Sequence, residues 1–448
     1  MFKRILIANR GEIAIRIIRA CHEMGIATVA VYSDADTNSL HVTESDMAVC
    51  IGPPPPDKSY LNIPNIISAA ELTEADAIHP GYGFLAENAR FSDICTTCGL
   101  TFIGPSHEAI DRLGDKITAR SIMAEAGVPV IPGTQGTVEK ERQAITFAAQ
   151  AGYPVIVKAA AGGGGRGMRI CFTDKELRQA LETAKKEASA YFKNSDIYLE
   201  KYILEPRHIE FQILADSHGN VIHVGDRDCS IQRRHQKLLE EAPSTFVPDK
   251  IRATMGRTAV RAAEAAEYVG AGTIEFLVDS DGKYYFIEAN TRIQVEHTIT
   301  EMVSGLDIIK EQIRIAAGEP VSVSQRDISL KGHAIEFRIN AEDPHSDFKP
   351  TGGTVEFYSP PGGPGVRVDT HIYSGYRVPT QYDSLLAKLI VWGRDRDEAV
   401  ARGKRALDEL RIDGFTTTIP FHKWLLDNGE FLAGKAYTNF IESNYKGE

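Results

Sequence analysis

Residues 284–302 read YYFIEANTRIQVEHTITEM, from Tyr284 to Met302. The opening YYFIEA is an apolar strand that runs into a polar loop carrying Glu288, Asn290, Arg292, Gln294, Glu296 and His297. Such dense, unlike polarity makes a poor core, because buried charge is costly unless it is paired or bound to a metal. Just upstream, GTIEFLVDSDGK puts Glu275 in a second apolar strand, and Asp281-Gly282 is a two-residue hairpin signal. Closing that turn pairs Ser280 with Lys283 and sets Glu275 opposite Glu288, with Asn290 on the same strand face as Glu288. Two carboxylates facing across a ladder repel. A divalent cation between them removes the repulsion, and hard oxygen ligands suit Mg²⁺. A solvated hairpin with ordinary surface acids is the alternative that this stretch leaves open.

Before this hairpin, RHIEFQILAD alternates as a strand with His208, Glu210 and Gln212 on one face. The polar segment VGDRDCSIQRRHQKLLEEAP follows, with Gln232, Arg233, Arg234, His235 and Lys237. It is the strongest basic cluster in an acidic chain and reads either as an anion clamp or as a solvated loop. Asp249–Val269 and Leu306–Ala317 read as helices. Residues 116–205 read as a lid. Pro154–Lys158 is a strand, AAAGGGGRGMRI follows it, and IYLEK at Ile197–Lys201 is another. The glycines Gly162 to Gly165 suit a loop whose bare backbone N–H groups close over phosphate, with Lys158 at its mouth; a plain flexible linker is the alternative. There is no GxxxxGK[ST], so no Walker loop is expected.

Residues 1–115 alternate strand and helix in the pattern of an open parallel sheet. The first turn, NRGEIA, is not GxGxxG, so a dinucleotide site is not expected. IHPGYGFLAEN puts His79, Tyr82 and Glu87 in a loop after a strand end, where α/β sheets bind ligands; a structural loop is the alternative. Residues 331–448 begin a third unit, in which GHAIEFRINAEDP is a strand with Arg338 on the face of Glu336 and Asn340. The expected domains are therefore 1–115, 116–330 with a lid at about 131–205, and 331–448. Trp424 and Phe431 read as core.

The 448 residues are 43% hydrophobic with a net charge of −11, which suits a globular protein and argues against a general nucleic-acid binder. No stretch is long and apolar enough for a membrane helix, the apolar run at the start is too short for a signal peptide, and Cys95 and Cys98 read as ordinary thiols. A reducing cytoplasm is the expected setting.

Ten stretches together carry a family resemblance: ILIANRGEIAIRIIRA, IHPGYGFLAEN, FIGP, GDK, GGGGRGMR, DRDCSIQRRHQK, FIEANTRIQVEH, TEM, GHAIEFRINAEDP and YDSLLAKL. In this order and across essentially the whole chain, they resemble the biotin carboxylases, the ATP-grasp component of biotin-dependent carboxylases. The resemblance implies an ATP-grasp fold of mixed α/β and α+β class, with an N-terminal open parallel sheet, a glycine-rich lid and a β-rich C-terminal domain. It implies that ATP phosphorylates bicarbonate and that the carboxyphosphate formed carboxylates N1′ of biotin on a carrier protein. Lys116 and Lys158 resemble the ATP-phosphate lysines, Gly164 and Gly165 the lid donors, and Glu200, Lys201, Tyr202 and Ile203 the adenine hinge. His208, Gln232 and His235 resemble nucleotide contacts, and Glu275, Glu288 and Asn290 the ligands of Mg²⁺ or Mn²⁺. Lys237, Arg292, Gln294 and the N–H of Val295 resemble bicarbonate contacts, Glu296 the general base, and Arg338 the residue that stabilises the biotin enolate, with Tyr82 as a further substrate contact.

No AMKM-type motif or carboxyltransferase region is visible, so a separate biotin carboxyl carrier protein and separate carboxyltransferase subunits are expected, first of all in an acetyl-CoA carboxylase of fatty acid synthesis. Pyruvate, propionyl-CoA and 2-oxoglutarate carboxylases have similar subunits, and a non-catalytic ATP-binding scaffold is the alternative from another class. A homodimer is implied, with Arg19 and Glu23 fitting its interface. The chain departs from the family pattern at Ala161, Ala289 and Pro364, and its VDSDGK turn is one residue longer than in some members.

Overall fold

The computed structural model describes residues 1–134, 136–138, 140–159, 169–192 and 197–447. The glycine loop, with Gly164, Gly165 and the departure at Ala161, lies outside the described residues. Two compact units divide the chain. The larger comprises Met1–Val128, Arg207–Phe276 and Glu288–Glu448, and the smaller Pro129–Pro206 with Leu277–Ile287.

In the larger unit, β1 (Arg4–Ile7), β2 (Ala27–Ser33), β3 (Met47–Gly52), β4 (Ala77–His79) and β5 (Thr101–Phe102) form a parallel sheet in the order β3-β2-β1-β4-β5. The helix Gly11–Glu23 buries Ile13, Ile17 and Ile18 on the face their spacing predicts. Asn9, at the end of β1, donates to the carbonyls of Pro80 and Tyr82, both at 2.7 Å, and so pins the HPGYG loop. Gly81 has φ +61°, and a Cβ there would come within 2.9 Å of the Asn9 amide.

The smaller unit holds β6 (Val155–Ala159), β7 (Arg169–Cys171) and β8 (Ile197–Lys201) in the order β7-β6-β8. Val155, Val157, Ile197 and Leu199 from the strands pack with Leu177, Ala180 and Ala184 of the helix Asp174–Phe192. This unit also contains the turn that the sequence assigns to Asp281-Gly282. The turn closes one residue earlier than expected: Asp279 N–H donates to Lys283 O at 2.9 Å, and Gly282 N–H donates to Asp279 O at 3.0 Å. The loop is therefore three residues, Ser280 to Gly282, with Gly282 at φ +78°. The Asp279 carboxylate is the physical cause, since it accepts the N–H groups of Asp281 and Lys283 at 3.0 and 2.9 Å.

The long antiparallel sheet is built from β9 (Arg207–Ala215), β10 (Val221–Arg233), β11 (Gln236–Ala242), β12 (Gly270–Val278), β13 (Tyr284–Asn290), β14 (His333–Asn340), Val366–Thr370 and Leu385–Gly393. Its order is β13-β12-β9-β10-β11-β14, then Leu385–Gly393, then Val366–Thr370. Because β14 pairs with β11, this sheet runs across position 330/331. Period-2 alternation gives it two unlike faces. Leu239, Ile335, Phe337, Ile339, Leu389 and Val391 join the C-terminal core with Leu407, Phe421 and Leu425; Phe431 is buried there and Trp424 packs against it. Glu240, Glu336, Arg338 and Lys388 occupy the alternate positions; Glu240, Glu336 and Lys388 are fully buried and Arg338 is half-buried. The segment Val224–Pro243 is not a loop as a whole. It is mostly the hairpin β10–β11, turned by Arg234 and His235 at φ +48° and +66°.

Candidate active site

Lys237 is the node of the site. From the start of β11 its Nζ reaches Glu210 on β9 and Glu296 after β13, each at 2.5 Å, and Glu275 on β12 at 3.1 Å. Burial works against the ammonium charge, but the carboxylates around it raise the Lys237 pKa well above the ordinary lysine range. Glu275 is almost wholly buried and accepts from His208 at 2.7 Å and from the amides of Asn290 and Gln294, both at 2.8 Å. Burial opposes its ionisation too, yet Lys237 and His208 hold it well below the ordinary carboxylate range.

Glu296 ends the loop and is the N-cap residue of the helix His297–Ser304. One carboxylate oxygen takes Lys237 and the other takes Arg338 at 2.8 Å. Burial and the Glu210 charge push its pKa up, but Lys237, Arg338 and Arg227 outweigh them, so Glu296 is held as an anion. Arg338 also donates through Nε to Glu240 at 2.6 Å. Arg292 is fixed from three sides: Nε to Glu87 at 2.9 Å, Nη2 to Asn290 Oδ1 at 2.9 Å and Nη1 to the Ile293 carbonyl at 3.2 Å. Asn290 thus bridges Glu275 to Arg292. Glu288 is 44% exposed in its side chain, lies 4.0 Å from the Lys116 ammonium, and has its pKa raised by desolvation and then by the Glu275 charge.

Beneath these groups, Arg227 is completely buried and all five of its N–H groups are bonded. Its partners are Glu210 at 2.6 Å, Gln212 at 2.8 Å, Thr300 at 2.9 Å, Thr273 at 3.1 Å and Gln294 at 2.6 Å. One guanidinium therefore orients both Glu210, which holds Lys237, and Gln294, which holds Glu275.

The sequence of the chain matches three family profiles: "Biotin carboxylase, N-terminal domain" over residues 1–110, "Carbamoyl-phosphate synthase L chain, ATP binding domain" over 115–324, and "Biotin carboxylase C-terminal domain" over 336–443. It is 58% identical to a biotin carboxylase of Nostoc sp. over 99% of this chain and 100% of that one. The chain belongs to the biotin carboxylase family. It is accordingly an ATP-dependent C–N ligase with the ATP-grasp fold. It is also 54% identical to a pyruvate carboxylase subunit of Methanothermobacter thermautotrophicus, over 100% of this chain and 91% of that one. Among solved structures, the biotin carboxylase domain dimer of the Hydrogenobacter thermophilus 2-oxoglutarate carboxylase, in complex with ADP, its magnesium salt and bicarbonate, has a TM-score of 0.91 and 50% identity, covering 99% of this chain and 97% of that one.

The loop and strands of this biotin carboxylase bring together Lys237, Glu275, Asn290, Arg292, Gln294 and Glu296, with Arg338 added from β14. His208 reaches Glu275, and Gln232 lies 3.5 Å from His208, while His235 is exposed at the hairpin tip. Arg233 and Arg234, counted in the same basic cluster by sequence, pair with Asp347 instead. Tyr82 gives its hydroxyl to buried Glu12, and the neighbouring Glu87 holds Arg292. The carbonyl of Val295 accepts Lys388 Nζ at 3.0 Å. In the smaller unit Lys158 pairs with Glu200 at 2.5 Å, and the N–H groups of Lys201 and Tyr202 donate to the carbonyls of Pro132 and Pro154. Arg227, Glu240, Lys388 and Glu12 escape sequence reasoning. Their one signal is a charged residue at alternate positions of a strand or at the start of a helix.

The donor set suits a divalent cation. Glu275 and Glu288 offer hard carboxylate oxygens, and Asn290 donates to Glu275 at 2.8 Å.

Proposed function

We propose that the chain carboxylates biotin on a separate biotin carboxyl carrier protein, from ATP and bicarbonate by way of carboxyphosphate. The observation that carries this reading is the position of the Glu296 carboxylate between two cations, Lys237 and Arg338. In this reading bicarbonate takes the place of part of that ion-pair network. Arg292, pre-set by Glu87 and Asn290, binds it as a fork, with Lys237 and the Val295 N–H as further donors. Glu296 accepts the bicarbonate proton, for which it is already ionised. A bicarbonate oxygen then forms a bond to the γ-phosphorus of ATP as the bond to the ADP oxygen breaks. Lys116 and Lys158 supply positive charge for the phosphates, the step being one of positioning and charge neutralisation. Glu275 and Glu288 would hold Mg²⁺, with Asn290 beside them. The ion supplies charge neutralisation at the phosphate oxygens when bound. In the second stage N1′ of biotin gives its proton to the departing phosphate and bonds to the carboxyl carbon as the bond from that carbon to the phosphate oxygen breaks, and Arg338 stabilises the enolate-like oxygen of the ring.

The proposed setting is the first half-reaction of acetyl-CoA carboxylase in the cytoplasm, with carboxyltransferase subunits as partners and a homodimer as the working form. The similarity to a biotin carboxylase of Nostoc supports biotin carboxylation itself, and the similarities to a pyruvate and a 2-oxoglutarate carboxylase keep those acceptors as the second reading. None of the described helices is long and apolar enough to cross a membrane. ATP hydrolysis with free biotin and bicarbonate is the test. Hydrolysis must depend on bicarbonate and rise with biotin; a rate indifferent to either one overturns the reading. Transfer assays with acetyl-CoA, pyruvate and 2-oxoglutarate carboxyltransferases then identify the acceptor.

A further inference from the structure

Glu240 on β11 stands directly opposite Glu336 on β14. Both side chains are completely buried. Directly opposite residues of an antiparallel pair have Cβ atoms only about 4.5–5.5 Å apart. One oxygen of Glu240 accepts the Arg338 guanidinium, and one oxygen of Glu336 accepts the Thr298 hydroxyl. The other two oxygens, Glu240 Oε2 and Glu336 Oε1, have no hydrogen-bond partner among the described residues.

The nearby cations are already engaged. Arg338 is divided between Glu240 and Glu296, Lys237 among three carboxylates, and Lys388 between Glu12 and the Val295 carbonyl. Among the described residues no cation lies in ion-pair range of Glu336. Two bare carboxylates facing each other out of water repel, and a single proton between them turns the repulsion into a strong, charge-assisted hydrogen bond.

We propose that Glu336 is un-ionised in the working enzyme and donates its proton to Glu240 Oε2, and that this bond holds Glu240 where it sets Arg338. The hydrogen-bond pattern divides the atoms accordingly. Glu336 Oε2, which takes the Thr298 hydroxyl, is the carbonyl oxygen, and Oε1 carries the proton. The charges facing the pair agree. Burial and then, after a partial offset from Lys388, the Glu240 charge raise the Glu336 pKa well above the ordinary carboxyl value, and the Arg338 charge on its own strand does not reverse this. Glu240, which faces Arg338, Glu296 and Lys237, is itself pushed up to about 7, chiefly by burial. Glu336 is thus a positioning residue. Its consequence for biotin rests on the role proposed above for Arg338, whereas the shared proton does not.

Infrared difference spectra of the full chain test the proton, at about pH 8 where ordinary carboxyls are ionised. The wild type is expected to show the carbonyl stretch of an un-ionised carboxyl, shifted in D₂O and absent from Glu336→Gln. The glutamine amide can still donate to Glu240 and accept from Thr298, so E336Q should keep KM for biotin within about twofold of wild type. It should also lack the alkaline rise in that KM which ionisation of Glu336 brings to the wild type. Glu336→Leu cannot donate and should raise KM for biotin about tenfold with KM for ATP unchanged. No un-ionised carboxyl band in the wild type, or E336Q no better than E336L, overturns the proposal. Should E336L fail to fold, the spectra of the wild type and E336Q decide alone. An Arg338→Ala variant that keeps its biotin response would refute the Arg338 role while leaving the band, and the shared proton, in place.

Discussion

The buried ammonium of Lys388 donates to the carbonyl oxygen of Val295 at 3.0 Å. A side chain from the C-terminal region thereby sets the peptide that follows Val295, the one leading into Glu296. Its other partner is Glu12 at 3.1 Å, in the helix after the first strand of the chain. Residues from both ends of the sequence therefore hold the loop between them.

Replacing Lys388 with Met leaves buried Glu12 with no ion-pair partner among the described residues. The expected loss is about 3–5 kcal/mol of folding stability, as for other broken buried ion pairs. Adding Glu12→Gln should recover part of that loss, because the two residues share one interaction. Urea denaturation of the single and double variants measures both effects, and strict additivity would rule out the coupling.

Glu296 is held ionised between Lys237 and Arg338, and each of those cations keeps another carboxylate when Glu296 is removed. Glu296→Ala should therefore fold and bind ATP normally. Bicarbonate-dependent turnover should fall about 10²–10⁴-fold, the usual contribution of a general base. Steady-state kinetics beside a nucleotide-binding titration check this, and retained carboxylation would refute the base assignment.

Glu241 gives a pH signature. It accepts the His333 ring at 2.9 Å and the Arg396 guanidinium at 2.6 and 3.0 Å. Burial works against its ionisation, but these partners lower its pKa from 4.5 to about 2. A carboxyl lowered by folding stabilises fully above its unfolded pKa, and the contribution disappears as pH falls through its folded value. Stability should thus drop between about pH 4.5 and pH 2, by about 3 kcal/mol for this one group. In Glu241→Gln that part of the acid limb should be missing. A wild-type-minus-variant difference that stays flat with pH would exclude the assignment.

Arg234 and His235 turn the β10–β11 hairpin with φ of +48° and +66°, where side chains other than glycine are strained. Such strain costs about 1–3 kcal/mol per residue and collects at functional sites. His235→Gly should raise the melting temperature while weakening ATP binding. A variant that gains stability and loses no ATP affinity would remove His235 from the nucleotide site.

Much of the site was legible before folding. The run from Glu288 to His297 carries more polarity than a strand end can bury without partners, and Glu275 lies one short turn upstream. Alternation alone put Arg338 on the face of Glu336, and His208 on that of Glu210 and Gln212. The turn misled by one residue, because the rule for Asp-Gly takes no account of the Asp279 carboxylate that bonds two N–H groups of the loop. The basic cluster misled as well. Adjacent Arg233, Arg234 and Lys237 count as one charge in sequence, but a tight hairpin sends the arginines to Asp347 and Lys237 inward.

By itself, then, the sequence determined the family, the parallel N-terminal sheet, the polar loop after Tyr284 and most of the side chains that line it, since local period and residue type are written along the chain. Only the tertiary structure decided which charges face each other. Arg227 meets Thr300 and Gln294, Glu240 stands against Glu336, and Lys388 reaches Val295. These partners are distant in sequence, and a charge on a strand has no pair until the register of the neighbouring strand and the helix above it supply one. Out of water, that choice of partner sets whether the group is ionised at all, and so what it can do.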